Sequence, residues 1–112
     1  MPLLRTRIAD GSLAEIRVYF PDPWPKPRHH KRRLVDAVFV DLAATKLQPG
    51  GVLHCATDWT SYAEQMLETV SRDGRFTVDG FAPRPASRPV TRFEKQGLEK
   101  GHSVYDVIAR RR

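Results

Sequence analysis

The sequence predicts an α/β fold built on a mostly parallel sheet, and three observations carry that reading. Short β-branched and aromatic runs alternate with stretches whose apolar residues recur every three or four positions. The first such run stops at a cluster of prolines, which bar further pairing. A later run, residues 52–57, is almost continuously apolar, as expected of a strand covered on both faces.

Taken in order, Ile16-Arg17-Val18-Tyr19-Phe20 reads as a strand, and Pro21-Asp22-Pro23-Trp24-Pro25-Lys26-Pro27 as a stiff loop. Four prolines in those seven residues remove backbone donors and fix the chain at low entropic cost. Between Lys31 and Leu47, the spacing of Leu34, Val35, Val38, Phe39 and Leu42 predicts a helix with one apolar face. Gln48-Pro49-Gly50-Gly51 should end it, ahead of the buried strand at 52–57. Tyr62, Met66, Leu67 and Val70 mark a second helix, with Ser61 and Glu64 spaced as a capping box and Gly74 as its stop. Residues 75–81 and 103–110 read as two further strands. Between them, residues 82–102 form a loop whose length points to function rather than connection.

The chain has 112 residues, and 19 Lys+Arg against 13 Asp+Glu give a formal net charge of +6. That length is one domain at most. An excess of positive charge without a basic amphipathic helix points to nucleic acid before membrane. The single cysteine, Cys55, rules out an internal disulfide and fits a small buried hydrophobe. No apolar run reaches the roughly 18–20 residues of a bilayer span, and the N-terminus lacks the pattern of a signal peptide. A cytoplasmic protein without membrane attachment is the expectation.

Lys26-Pro27-Arg28-His29-His30-Lys31-Arg32-Arg33 places five fixed cations and two histidines directly after the rigid loop. Such a run at a helix entrance is suited to phosphates, because Lys and Arg displace condensed counterions and helix N–H groups add donors. The alternative is a solvated charged face or a localisation-like patch. His29 and His30 invite a metal, but adjacent histidines diverge and no cysteine or carboxylate partner has zinc-site spacing, so none is expected. His54 reads as a core histidine. Asp22, held between Pro21 and Pro23, and Asp58, followed by Trp59, both close predicted strands, where open α/β sheets bind their ligands. Asp22 is otherwise a turn former and Asp58 a helix N-cap. Trp24 and Trp59 are either core residues or faces on which a base stacks. Thr91-Arg92-Phe93-Glu94 lies in the long loop among Arg84, Arg88, Lys95 and Lys100.

Three stretches, in order, carry a resemblance. They are Phe20 to Lys26 with Arg28 to Arg33; Thr57-Asp58-Trp59 with Tyr62-Ala63; and Arg88-Pro89-Val90-Thr91-Arg92-Phe93-Glu94 with Gly97 and Gly101-His102. Together they resemble the tRNA (guanine-N7-)-methyltransferases, which transfer a methyl group from S-adenosylmethionine to a guanosine of tRNA. The resemblance implies a Rossmann-like class I sheet with one antiparallel strand near an edge. Residues 1–112 would be a single partial domain, the C-terminal part, with the glycine-rich cofactor-binding half absent. It implies Asp22 as the catalytic and cofactor-side acid, and Lys26, Asp58, Thr91, Arg92, Phe93 and Glu94 as substrate contacts. Arg28, His29, His30, Lys31, Arg32 and Arg33 would contact tRNA, and most of the S-adenosylmethionine site would lie outside the chain. Two other functions stay open: a non-catalytic RNA-binding module, and an inactive fragment. Self-association through an exposed sheet edge at residues 16–20 is a further expectation.

Overall fold

In the computed structural model, the described residues are 8–82 and 104–112. Strand β1 (Leu13–Tyr19) leads through the proline loop into a 3-10 helix (Pro27–Arg32), then helix α1 (Ala37–Lys46) and strand β2 (Leu47–Thr57). Helix α2 (Thr60–Arg72) is followed by two short strands, β3 (Phe76–Thr77) and β4 (Phe81–Ala82), and by β5 (Tyr105–Arg111).

The strands form one sheet in the order β1-β2-β5-β3, with β4 also pairing with β5. β1 and β2 are parallel, whereas β5 is antiparallel to β2, β3 and β4. Four strands therefore share one direction and β5 alone opposes them, next to the short edge strands, as the family resemblance implies. The parallel register sets Ile16 beside Leu53, Arg17 beside His54 and Tyr19 beside Ala56. Helix α1 makes the crossover that a parallel pair requires.

Alternation along β2 and β5 sorts their side chains between the two faces. Leu53, Cys55, Val107 and Ala109 join Val35, Phe39, Val40, Ala43 and Ala44 from the α1 segment and Tyr62, Met66 and Val70 from α2 in one buried core. His54 and Asp106 take alternate positions and meet on the other face. Each large side chain removed from water in that core contributes about 1.5–3 kcal/mol.

Four departures from the sequence reading have physical causes. Helix α1 begins at Ala37 and not near Lys31, because the Asp36 carboxylate accepts the Phe39 N–H (2.8 Å) as an N-cap and Arg33 is extended. Its buried face consequently turns toward Val40, Ala43 and Ala44, leaving Leu34 38% and Val38 59% exposed. The capping box of α2 does not form: Trp59 is the N-cap, without a side-chain bond, and Ser61 Oγ accepts from Arg33. Residues 75–81 do not make one strand; Val78, Asp79 and Gly80, the last at φ +92°, separate β3 from β4.

The Gln48–Gly51 turn lies within β2 as an irregularity in the ladder. Between the pairs Leu13 with Leu47 and Glu15 with Val52, β1 advances two residues while β2 advances five. Gly50 takes φ +81°, and a Cβ on Gly51 would lie 2.9 Å from the Gln48 carbonyl oxygen. Both glycines are thereby required by this turn.

Candidate functional site

The parallel strands β1 and β2 end side by side, and the candidate site sits on those two ends. Past β1, the Phe20 N–H donates to the Ala56 carbonyl (2.8 Å), extending the ladder by one residue. The chain then turns sharply. Phe20 (φ +54°) and Trp24 (φ +40°) are the non-glycine residues with positive φ among those described, and each such residue costs about 1–2 kcal/mol. Between them the Asp22 carboxylate accepts the Trp24 N–H (3.0 Å), an Asx-type turn that holds the acid in a fixed pose.

Past β2, the Trp59 N–H donates to Thr57 Oγ1 (3.2 Å) and starts α2. Asp58 thus precedes the N-cap position instead of filling it. Phe20, Pro21, Asp22 and Pro23 on one side and Asp58 and Trp59 on the other line an open cleft of about 420 Å³. The structure thus brings together the two acids singled out in the sequence, with an indole 42% exposed beside them. Neither tryptophan belongs to the buried core. A second hollow, of about 450 Å³, includes Val52, Asp79, Ile108 and Arg110. It lies toward the amino end of β2, away from the strand ends where α/β sheets bind ligands.

The basic run borders the loop as a 3-10 helix with no buried residue. Trp24 organises it: Arg32 lies over the indole with its guanidinium carbon 5.2 Å from the ring centre, and the His29 ring meets it edge-on at 5.5 Å. Arg28 Nε–H donates to His29 Nε2 at 3.4 Å, and His30 Nε2 donates to the Pro25 carbonyl at 3.3 Å. Lys26, Arg28, Lys31 and Arg32 are exposed. The expected entry of this run into an α-helix N-terminus is not what forms, since Asp36 caps that helix. Arg33 also departs from its expected role. It is 2% exposed and turned inward, so its guanidinium does not face a phosphate, and burial holds its pKa below the usual arginine range. Thr91, Arg92, Phe93 and Glu94 lie outside the described residues.

Sequence reasoning missed one buried polar chain. His54, 2% exposed, bridges Asp106 Oδ1 (2.8 Å) and the Tyr19 hydroxyl (3.0 Å). A carboxylate only accepts, so in the neutral ring Nε2 carries the proton to Asp106 and Nδ1 accepts from Tyr19. Tyr19 adjoins Phe20 at the cleft. The signal available in the sequence was parity: a polar residue in phase in each of three neighbouring strands.

Residues 1–107 match a family model described as putative methyltransferase. The chain belongs to this methyltransferase family. It is 63% identical over 113 residues to the tRNA (guanine-N(7)-)-methyltransferase of Streptomyces coelicolor, covering 97% of this chain and 42% of that protein. The protein of the same name from Bordetella pertussis is 57% identical over 111 residues, covering 97% and 44%. The chain therefore spans about two-fifths of the length of these curated relatives. Among solved structures, a putative methyltransferase from Thermoplasma acidophilum superposes with a TM-score of 0.53 at 19% identity, over 97% of this chain and 43% of that one. A chain from the complex between the Haloferax volcanii Trm112 methyltransferase activator and a putative methyltransferase gives 0.54 at 14%, over 94% and 56%. The chain shares its methyltransferase-like α/β fold with these two structures. Among the described residues, no helix is long and apolar enough to cross a membrane.

Proposed function

We propose that this chain is the C-terminal, substrate-side part of an enzyme that transfers a methyl group from S-adenosylmethionine to N7 of a guanosine in tRNA. The observation that carries the reading is the cleft holding Asp22, Asp58 and Trp59 at the ends of two parallel strands, beside exposed cations. The names of the curated relatives supply the substrate class.

Guanine N7 has a free lone pair, so no base is needed to prepare it, and alignment dominates the rate. Trp59 offers a face for the purine. A carboxylate such as Asp58 accepts from the guanine N1–H and 2-amino group, which turns N7 away from it. Methylation leaves the purine cationic, and Asp22, fixed by its turn, offsets the charge as it develops. Arg28, His29, His30, Lys31 and Arg32 hold the tRNA backbone, with Lys26, Thr91, Arg92, Phe93 and Glu94 as further substrate contacts.

S-adenosylmethionine, when bound, supplies a methyl group on a positively charged sulfur. Of the described residues, Asp22 fits that charge, whereas no strand here runs into a glycine-rich turn to hold the adenosine and methionine portions. The described residues thus fit only a small part of the cofactor. That same observation favours the second reading, an RNA-binding module that transfers nothing by itself. Turnover of the complete protein with Asp22→Asn and Asp58→Asn tests the proposal. A role in offsetting charge predicts a kcat loss of about 10²-fold or more for one acid, and a role in gripping guanine predicts a KM effect for the other. Wild-type kcat and KM in both variants would refute it.

A further inference from the structure

The proline loop carries the candidate acid Asp22, yet Pro21, Pro23, Pro25 and Pro27 have no N–H to donate. At those residues an anchor from outside must be a donor that reaches a carbonyl. His30 reaches the Pro25 carbonyl from within the basic run, and Arg33 reaches that of Pro23, beside Asp22. The Arg33 Nε–H donates to the Pro23 carbonyl (2.7 Å), Nη1 to Gln65 Oε1 (2.9 Å) and Nη2 to Ser61 Oγ (2.9 Å). The guanidinium lies over the Tyr62 ring, 4.9 Å from its centre. Gln65 Nε2 in turn donates to the Val35 carbonyl, and the Val35 N–H donates to the Tyr62 hydroxyl. Pro23 belongs to one wall of the cleft, and Ser61, Tyr62 and Gln65 to the opening turns of α2, directly after the Asp58–Trp59 wall. A single planar fork spans the two walls. Among the described residues, no carboxylate lies within ion-pair distance of it. A buried cation satisfied by neutral acceptors is held by geometry, which an arginine fork supplies and a lysine ammonium does not.

We infer that Arg33 is a positioning residue that sets the distance between the Asp22 wall and the Asp58–Trp59 wall, and so governs the methyl-transfer step and not tRNA affinity. The inference rests on the proposed function for its rate effect and on geometry alone for its hold on the loop. Two readouts separate these. In the complete protein, Arg33→Ala lowers the rate at saturating tRNA at least tenfold, while the slope of log tRNA affinity against log salt stays as in wild type. Lys31→Ala, by contrast, lowers that slope by about 1, as loss of a phosphate contact does. In the 112-residue chain carrying Trp59→Phe, where Trp24 is the one remaining tryptophan, Arg33→Ala increases acrylamide quenching. Low-millimolar guanidinium, refilling the vacated space, restores both quenching and rate. Arg33→Lys behaves as Arg33→Ala does. Gln65→Ala, which removes one strut, shifts both readouts in the same direction by less, and serves if Arg33→Ala does not fold.

A salt slope lowered by about 1 with quenching unchanged would overturn the inference and make Arg33 a phosphate contact. Rate and quenching both unchanged would overturn it as well. Should the wild-type protein transfer no methyl group, the functional reading fails alone, and the quenching arm still decides whether Arg33 holds the loop.

Discussion

Replacing His54 by leucine tests the buried polar chain beneath the cleft. The substitution removes a hydrogen bond to the Asp106 carboxylate at 2.8 Å and one from the Tyr19 hydroxyl at 3.0 Å. Both His54 and Asp106 are 2% exposed, so water does not replace what is lost. A bond to a charged group contributes about 1.5–3 kcal/mol and a neutral one about 1, which gives a loss of about 3 kcal/mol. That is a large share of the roughly 5–15 kcal/mol that stabilises a domain. At an m-value of about 1.5 kcal/mol/M, the urea midpoint falls by about 2 M. The double variant His54→Leu/Asp106→Leu separates the pair from the packing. Replacing both partners of a buried pair is far less costly than breaking it, so the double loss should be smaller than the sum of the single losses by about 2 kcal/mol. Urea unfolding of the four proteins measures this directly. A single loss under about 1 kcal/mol, or additivity within about 0.5 kcal/mol, would show that the His54–Asp106 pair does not hold the fold in this way.

Four further outcomes follow from other parts of the fold. A Cβ at Gly51 would meet the Gln48 and Leu13 carbonyl oxygens at 2.9 and 3.1 Å, so Gly51→Ala should cost about 1–3 kcal/mol by thermal unfolding. At Gly74 an added Cβ meets nothing within 4 Å, and Gly74→Ala should stay within about 0.5 kcal/mol. Burial pushes the Cys55 thiol up to about 12, so at neutral pH it is protonated as well as shielded. Its alkylation should follow the global unfolding curve; fast labelling of the native protein would contradict the burial. The Arg75 guanidinium bonded to Asp73 holds that carboxyl below its usual value. Its folded pKa lies below the unfolded one, so its contribution is present above the ordinary carboxylate range and lost as pH falls through the folded value. Asp73→Asn should lower stability at pH 7 by about 1 kcal/mol and flatten the acid limb of the stability profile; an unchanged limb would contradict the pairing.

The α/β class was legible because it rests on periodicity and on proline and glycine stops, both local signals, whereas the one antiparallel strand was implied only by the family resemblance. The two acids were legible for a similar reason: each closes an apolar run, and adjacent parallel strands bring such ends together. What stayed hidden depends on partners distant in sequence. The phase of α1 is set by the Asp36 cap, which buries Phe39, Val40, Ala43 and Ala44 and leaves Val38 exposed. Arg33 reads as one more cation in a basic run until α2 delivers Ser61 and Gln65 to it. The His54–Asp106 contact joins residues 52 positions apart, and only the antiparallel register of β5 makes it visible.

We propose that the complete protein methylates guanosine N7 of tRNA at the cleft between Asp22 and Asp58. The most direct test is transfer of labelled methyl from S-adenosylmethionine to an unmodified tRNA transcript, with the labelled nucleoside identified after digestion and Asp22→Asn run alongside. Label is expected in N7-methylguanosine, with a loss of about 10²-fold in the variant. Label in any other nucleoside, or equal label with wild type and variant, would contradict it.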